Sequence, residues 1–233
     1  MDIGAISAGP NPPKDLYALI EIPLGGAPVK YEFDKASGAL VVDRFLHTAM
    51  FYPGNYGFIP QTLAADGDPC DVLVVTQVQV VPGAIVRCRP VGALLMEDEA
   101  GRDEKIIAVP VDALAPFYKD VRSYRDLPPI MCQQIAHFFQ HYKDLERGKW
   151  VTIVKWLDVK GAEKLVLEGI SRAQKAQTRG KSGEVPHQQK ASQKPADRKH
   201  RGNDNVKRRE ASVLARALPR ATSPPAPGTA RAA

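Results

Sequence analysis

Past its middle the chain changes hydrophobic period from that of strands to that of helices, and the switch limits the architectures open to it. Up to residue 109 the apolar positions fall in short runs suited to strands. Leu16–Ile22 and Val29–Phe33 alternate apolar and polar side chains, with Pro23 and Gly25-Gly26 between them. Lys35-Ala36-Ser37-Gly38 reads as a hairpin turn leading into a strand at 39–45. Residues 72–81 form a nearly continuous Val-rich run, as in a buried strand. Another covers 85–96, where Pro90 and Gly92 mark a bend or bulge. A short strand follows at 106–109.

The period then becomes helical. Within 129–146, Ile130, Gln134, Ile135, Phe138, Phe139 and Tyr142 recur at the spacing of one helix face, and Gly148 supplies the stop. Residues 150–156 return to a strand. An amphipathic helix at 159–174 places Ala162, Leu165, Val166, Ile170 and Ala173 on one side. Many short strands followed by two helices predict a mainly β (α+β) fold: a small closed β-barrel with both helices packed outside.

Charge divides the chain further. Residues 1–174 carry 18 Lys and Arg against 22 Asp and Glu, whereas 175–233 carry 14 against 4. Large apolar residues nearly vanish past 174, and such a segment cannot offset its ordering entropy by burial. The expected organisation is a flexible lead-in at 1–13, one domain at 14–174 and a basic disordered tail at 175–233. The Lys207-Arg208-Arg209 run could touch polyanions weakly, although a solubilising extension is the simpler reading. Cys70, Cys88 and Cys132 are odd in number and lack CxxC spacing, which argues against a disulfide framework or a zinc site. The first twenty residues show no secretory pattern, and no run approaches the roughly 18 apolar residues of a membrane span. A soluble, cytoplasmic protein is expected.

Asp66-Gly67-Asp68-Pro69-Cys70-Asp71 packs three carboxylates into one turn. Asp, Gly and Pro are ordinary turn residues, so an exposed turn is the simplest explanation. An EF-hand is ruled out, because its sixth and twelfth positions are Asp71 and Gln77 instead of Gly and Glu. The turn runs directly into a buried strand, however, and carboxylates anchored there would be rigid enough to hold a hard cation. A second cluster (Glu97, Asp98, Glu99, Asp103 and Glu104) gains meaning only if the fold brings Asp98 and Asp103 beside Asp66 and Asp71. Lys105 would then supply a cation at the same end. Tyr52 and Tyr56 near Arg44, and the pair Tyr142-Lys143, suit phosphate oxygens. Lys30 and Glu32 share a strand face.

Other signals carry less. Gly180-Lys181-Ser182 resembles the end of a P-loop, but position 175 is Lys and no strand precedes it. His137 and His141 stand at metal-ligand spacing, yet Phe138 replaces the Glu of a zincin.

From about residue 15 to 174 the chain closely resembles the soluble family I inorganic pyrophosphatases of bacterial type. The likeness rests on Ile20-Glu21-Ile22-Pro23, Lys30-Tyr31-Glu32, Asp43-Arg44-Phe45, Phe51-Tyr52-Pro53-Gly54-Asn55-Tyr56-Gly57 and Asp66-Gly67-Asp68-Pro69-Cys70-Asp71-Val72. It continues through Arg87-Cys88-Arg89-Pro90-Val91-Gly92, the stretch from Asp98 to Lys105, and His141-Tyr142-Lys143-Asp144-Leu145. Cys70 departs from the family, which has an aliphatic residue or Phe there. Cys is small and apolar enough to pack in that place. The compact bacterial enzymes have no counterpart of the basic tail.

The resemblance implies a five-stranded, OB-like barrel that uses several Mg²⁺ ions to hydrolyse pyrophosphate to two orthophosphates. Asp66, Asp71 and Asp103 would be metal ligands, Asp98 would help hold further magnesium, and Asp68 would be the general base. Lys30, Arg44, Tyr56, Lys105, Tyr142 and Lys143 would contact phosphate, with Glu21, Glu32 and Tyr52 completing the site. It also implies a hexamer, for which the helix face bearing His137, His141 and Asp144 is the candidate contact. A nucleic-acid-binding module is the main rival, because an OB-like barrel with a basic tail fits one. Carboxylates at the special positions and the lack of interleaved aromatics in the tail oppose it.

Overall fold

A strand whose side chains are buried on both faces reads as an unbroken apolar run, and the centre of this molecule is built from such strands. The computed structural model describes residues 2–34 and 36–181. Its strands are β1 (Leu16–Ile22), β2 (Val29–Phe33), β3 (Leu40–Phe45), β4 (Asn55–Phe58), β5 (Asp71–Val74), β6 (Ile85–Asp98), β7 (Gly101–Pro110) and β8 (Val151–Leu157). Its α-helices are α1 (Pro129–His141) and α2 (Val159–Lys181). Strands β1, β4, β5, β7 and β6 pair in that order, and β6 pairs back to β1, closing a ring of five. Strand β8 adds to the outer side of β6, while β2 and β3 form a separate two-stranded sheet. The ring pairings are antiparallel except β5 with β7, which run parallel.

Each face of the ring feeds its own core. Leu73, Leu94, Met96 and Ile107 lie in one, where α1 packs Ile135, Phe138 and Phe139. Val72, Val74, Ala93, Ile106 and Ala108 lie in the other, where α2 packs Ala162, Leu165 and Val166. At Gly57 a Cβ would fall 1.9 Å from the Leu19 carbonyl oxygen, so only glycine lets β4 lie this close to β1.

Several boundaries differ from the sequence expectation. The Val-rich run is not one strand: β5 ends at Val74, and Val78 and Val81 are exposed. Strand β7 begins at Gly101, so the second acidic cluster straddles a β6–β7 hairpin. Pro90 and Gly92 do sit at a register shift, as expected of a bulge. Helix α1 stops at His141 instead of 146, and Ile130 is exposed. Helix α2 continues past 174 to Lys181. The reading of a basic tail otherwise concerns residues 182–233, outside the described residues. Strand β4 has no counterpart among the sequence-predicted strands.

The loop after β5 is organised by one buried side chain. Asn55 accepts from the backbone N–H groups of Leu24 (2.9 Å) and Val80 (2.8 Å), and donates to Thr76 Oγ1 (2.6 Å) and the Val78 carbonyl (3.1 Å). It is fully buried, so removing it takes the acceptor from the Leu24 and Val80 N–H groups, whereas the Val78 carbonyl keeps its bond from Thr76 Oγ1. Asn55→Leu should therefore lower unfolding stability by about 2–4 kcal/mol, measured by urea denaturation. An unchanged midpoint would contradict this assignment.

Candidate active site

Strand alternation builds the site. On β7, Asp103, Lys105, Ile107 and Val109 share one face, and Ile107 and Val109 belong to the core under α1. Asp71 and Leu73 stand in the same relation on β5, as do Met96 and Asp98 on β6. The apolar face thus ends in a row of charges. The parallel register sets Asp71 directly beside Lys105. At the opposite end of the chain segment, α1 delivers Tyr142 and Lys143 just past its last turn.

These groups line a cavity of about 300 Å³. All but one of the sequence candidates face it: the carboxylates Glu21, Glu32, Asp66, Asp68, Asp71, Asp98 and Asp103, the cations Lys30, Arg44, Lys105 and Lys143, and the phenols Tyr56 and Tyr142. Tyr52 instead lies buried behind the wall, its ring 5.6 Å from Tyr56 and 4.7 Å from Phe138. Phe58, Glu99 and Lys149 also line the cavity without having been assigned a role from sequence. Glu99 belongs to the second acidic cluster, so its charge was visible. Lys149 sits beyond a glycine in a loop, where no periodicity marks it.

The Asp66–Asp71 turn is held from both sides. Gly67 adopts a φ of +95°, the Asp68 N–H donates to Asp66 Oδ1 (3.0 Å), and the Ala64 N–H donates to the Asp68 carbonyl (2.7 Å). Behind it, the Cys70 N–H donates to Thr62 Oγ1 at 2.8 Å. Helix α2 presents Gly169 there, and a Cβ at that glycine would lie 2.5 Å from Cys70 Sγ. The small residue at 70 is therefore matched by the absent side chain at 169.

Opposed charges interlock across the cavity. Lys105 is 4 % exposed and pairs with Asp71 and, at 2.8 Å, with Asp103. Burial works against its charge, but Asp71, Tyr56 and Asp103 hold its pKa well above the ordinary lysine value. Lys143 donates to Asp98 Oδ2 at 2.6 Å. Burial opposes its charge too, yet Tyr142 and Asp98 outweigh it and raise the ammonium pKa. The Asp98 carboxyl is lowered: the bonds from Lys143 and the Ala100 N–H overcome its own desolvation. Lys30 pairs with Glu32 and, at 3.3 Å, with Asp43, which also binds Arg44 at 3.0 Å. Glu21 is the exception. Burial pushes its carboxyl up to about 8, although it accepts the Phe33 N–H at 3.0 Å.

Eight carboxylates and five cationic side chains line the cavity, with no His or Cys among them. An oxygen-only donor set with surplus negative charge fits a hard divalent cation. Among the described residues, no three donor side chains are already gathered around one point as an ion would require. The Lys105 ammonium stands between Asp71 and Asp103 and provides the countercharge there.

Comparison with known proteins adds an independent line. The family model described as "Inorganic pyrophosphatase" matches residues 18–174. An inorganic pyrophosphatase of Caulobacter vibrioides is 65% identical over 172 residues, covering 74% of this chain and 97% of the relative. Among solved structures, an inorganic phosphatase from Anaplasma phagocytophilum superposes with a TM-score of 0.71 at 48% identity, covering 72% of this chain and 99% of its own. The inorganic pyrophosphatase of Thermus thermophilus gives 0.71 at 42% identity, covering 75% and 99%.

Glu21 provides a check on these electrostatics. Its folded pKa lies above the unfolded value, so its contribution to stability is complete below pH about 4.5 and lost as pH rises through about 8. In magnesium-free buffer, Glu21→Gln should gain about 4 kcal/mol relative to the wild type between pH 5 and pH 8.5. Urea denaturation at pH 5 and pH 8.5 measures it. An identical difference at both values would contradict a protonated Glu21.

Proposed function

The chain belongs to the inorganic pyrophosphatase family, and from that premise we propose that it hydrolyses pyrophosphate to two orthophosphates with Mg²⁺. The observation that carries this reading is the cavity itself, where carboxylates able to hold divalent cations alternate with Lys, Arg and Tyr groups able to hold phosphate. Asp66, Asp71 and Asp103 are the proposed metal ligands, with Asp98 holding further magnesium. When bound, such ions acidify water and neutralise charge on the entering and leaving oxygens.

The chain's own residues supply position and charge. Lys30, Arg44, Lys105 and Lys143 grip phosphate oxygens, and Tyr56 and Tyr142 donate through their hydroxyls. Burial raises both phenols above their ordinary values, so each keeps its proton for donation at neutral pH. The Asp68 carboxylate takes a proton from the attacking water as its oxygen closes on phosphorus. The bond from that phosphorus to the bridging oxygen breaks, and the second phosphate leaves with the electron pair. Glu21, Glu32 and Tyr52 keep these groups in place.

The reading extends to organisation. Residues 14–174 carry the activity, and the protein works in the cytoplasm as a hexamer. The candidate contact between subunits is the surface carrying His137, His141 and Asp144, where within one chain the two rings lie 4.7 Å apart and His141 Nδ1 lies 2.7 Å from Asp144 Oδ2. Among the described residues, no helix is long and apolar enough to cross a membrane.

Phosphate release from pyrophosphate, with and without Mg²⁺ and with ATP as comparison substrate, tests the reaction. Release should require Mg²⁺ and favour pyrophosphate; a chain inert under those conditions refutes it. Asp68→Asn should lower kcat by about 10²-fold or more, as loss of a general base does, while Mg²⁺ binding changes little. Equal loss of binding and turnover would make Asp68 a ligand instead.

A further inference from the structure

Past α1 the backbone makes a compact turn, with the Glu146 N–H donating to the Lys143 carbonyl (2.9 Å) and the Lys149 N–H to that of Glu146 (3.2 Å). This turn folds a carboxylate against the cavity wall without placing it in the cavity. Glu146 Oε2 lies 3.4 Å from Arg44 Nε and 3.0 Å from Lys149 Nζ. Both cations line the cavity; Glu146 does not. Only 10 % of its side chain is exposed.

Two cations drawn to one oxygen repel each other, and the carboxylate between them is what permits the approach. The arrangement is not explained as a finished structural ion pair. Arg44 Nε and Glu146 Oε1 are both buried without a hydrogen-bond partner, an expensive state in a folded protein that calls for an explanation. Asp43 holds the other edge of the guanidinium at 3.0 Å, so Glu146 governs the remaining freedom of Arg44.

We propose that Glu146 is a positioning residue: it holds Arg44 and Lys149 as a paired claw for one phosphate group of the substrate. The proposal rests on the pyrophosphate reading above. Its carboxylate is ionised for this purpose, because Lys149 and Arg44 together outweigh the desolvation that would raise its pKa. The claw carries a net single positive charge in place of two, which spares Arg44 and Lys149 from splaying apart before substrate arrives. Substrate and transition state both carry the phosphate group it grips, so its loss weakens both alike.

Steady-state hydrolysis by the wild type, Glu146→Gln, Lys149→Met and the double variant, at saturating Mg²⁺, tests this. Glu146→Gln keeps the shape and removes the charge; KM for pyrophosphate should rise about tenfold, as for one charge-assisted contact, with kcat within about threefold. Lys149→Met should raise KM by a similar factor, and the double variant by less than the product of the two. A purely structural role for Glu146 would lower the thermal midpoint and give factors that multiply. An unmoved KM in either single variant, or multiplying factors, overturns the proposal. Should Glu146→Gln fail to fold, Glu146→Asp, which keeps the charge but shortens its reach to Arg44 and Lys149, supplies the same readout: a raised KM is expected, and an unmoved one overturns the proposal. A wild type that releases no phosphate overturns the hydrolysis reading, and the claw with it; wild-type turnover with an unmoved KM overturns the claw alone.

Discussion

The parallel pairing of β5 with β7 places Asp71 beside Lys105, and much of the molecule follows from keeping that register. A buried ammonium costs several kcal/mol unless it is matched by anions in good geometry. Here Asp71 comes from one strand and Asp103 from two residues earlier on the other. A slip of one residue would turn Lys105 and Asp103 toward the core under α2 and bring Ile106 into the cavity. The charges and the register therefore specify each other.

Closure of the five-stranded ring makes this placement rigid, since neither β5 nor β7 has a free edge along which to slide. The two helices then act on opposite sides of the same strands. Helix α1 covers one core and ends where Tyr142 and Lys143 are required. Helix α2 covers the other and braces the 62–70 loop, with Arg172 Nε donating to the Leu63 carbonyl at 2.6 Å and the Leu63 N–H to the Gly169 carbonyl at 3.0 Å. The acidic turn is thus mounted between a strand and a helix, which holds its carboxylates close together despite their repulsion.

Much of this was legible in the sequence because period and punctuation are local. Strand β2 stands where alternation puts it; β1 stands where expected too, but it is buried on both faces at every position except Tyr17 instead of alternating. Strand β4 was hidden, because Gly54, Gly57 and Pro60 look like loop residues and only tertiary contact with β1 explains Gly57. The Val-rich run misled in the other direction: Asn55, fifteen or more residues upstream, pulls its second half into a loop. Asp66, Asp68, Asp71, Asp98, Glu99 and Asp103 stood out by clustering, whereas Glu21 was picked out only by resemblance to a family, which also supplied the proposed roles. Glu146 and Lys149 had neither signal. Their contacts with Arg44 and with one another exist only once the turn after α1 folds back on β3.

The central claim is that this cavity, lined by more carboxylates than cations, accepts a polyanion only when divalent cations have changed its sign. Calorimetric titration with imidodiphosphate, in which NH replaces the bridging oxygen, tests it without turnover. Binding should be tight in excess Mg²⁺ and should weaken sharply once a chelator removes the metal. Equal affinity under both conditions would contradict the account.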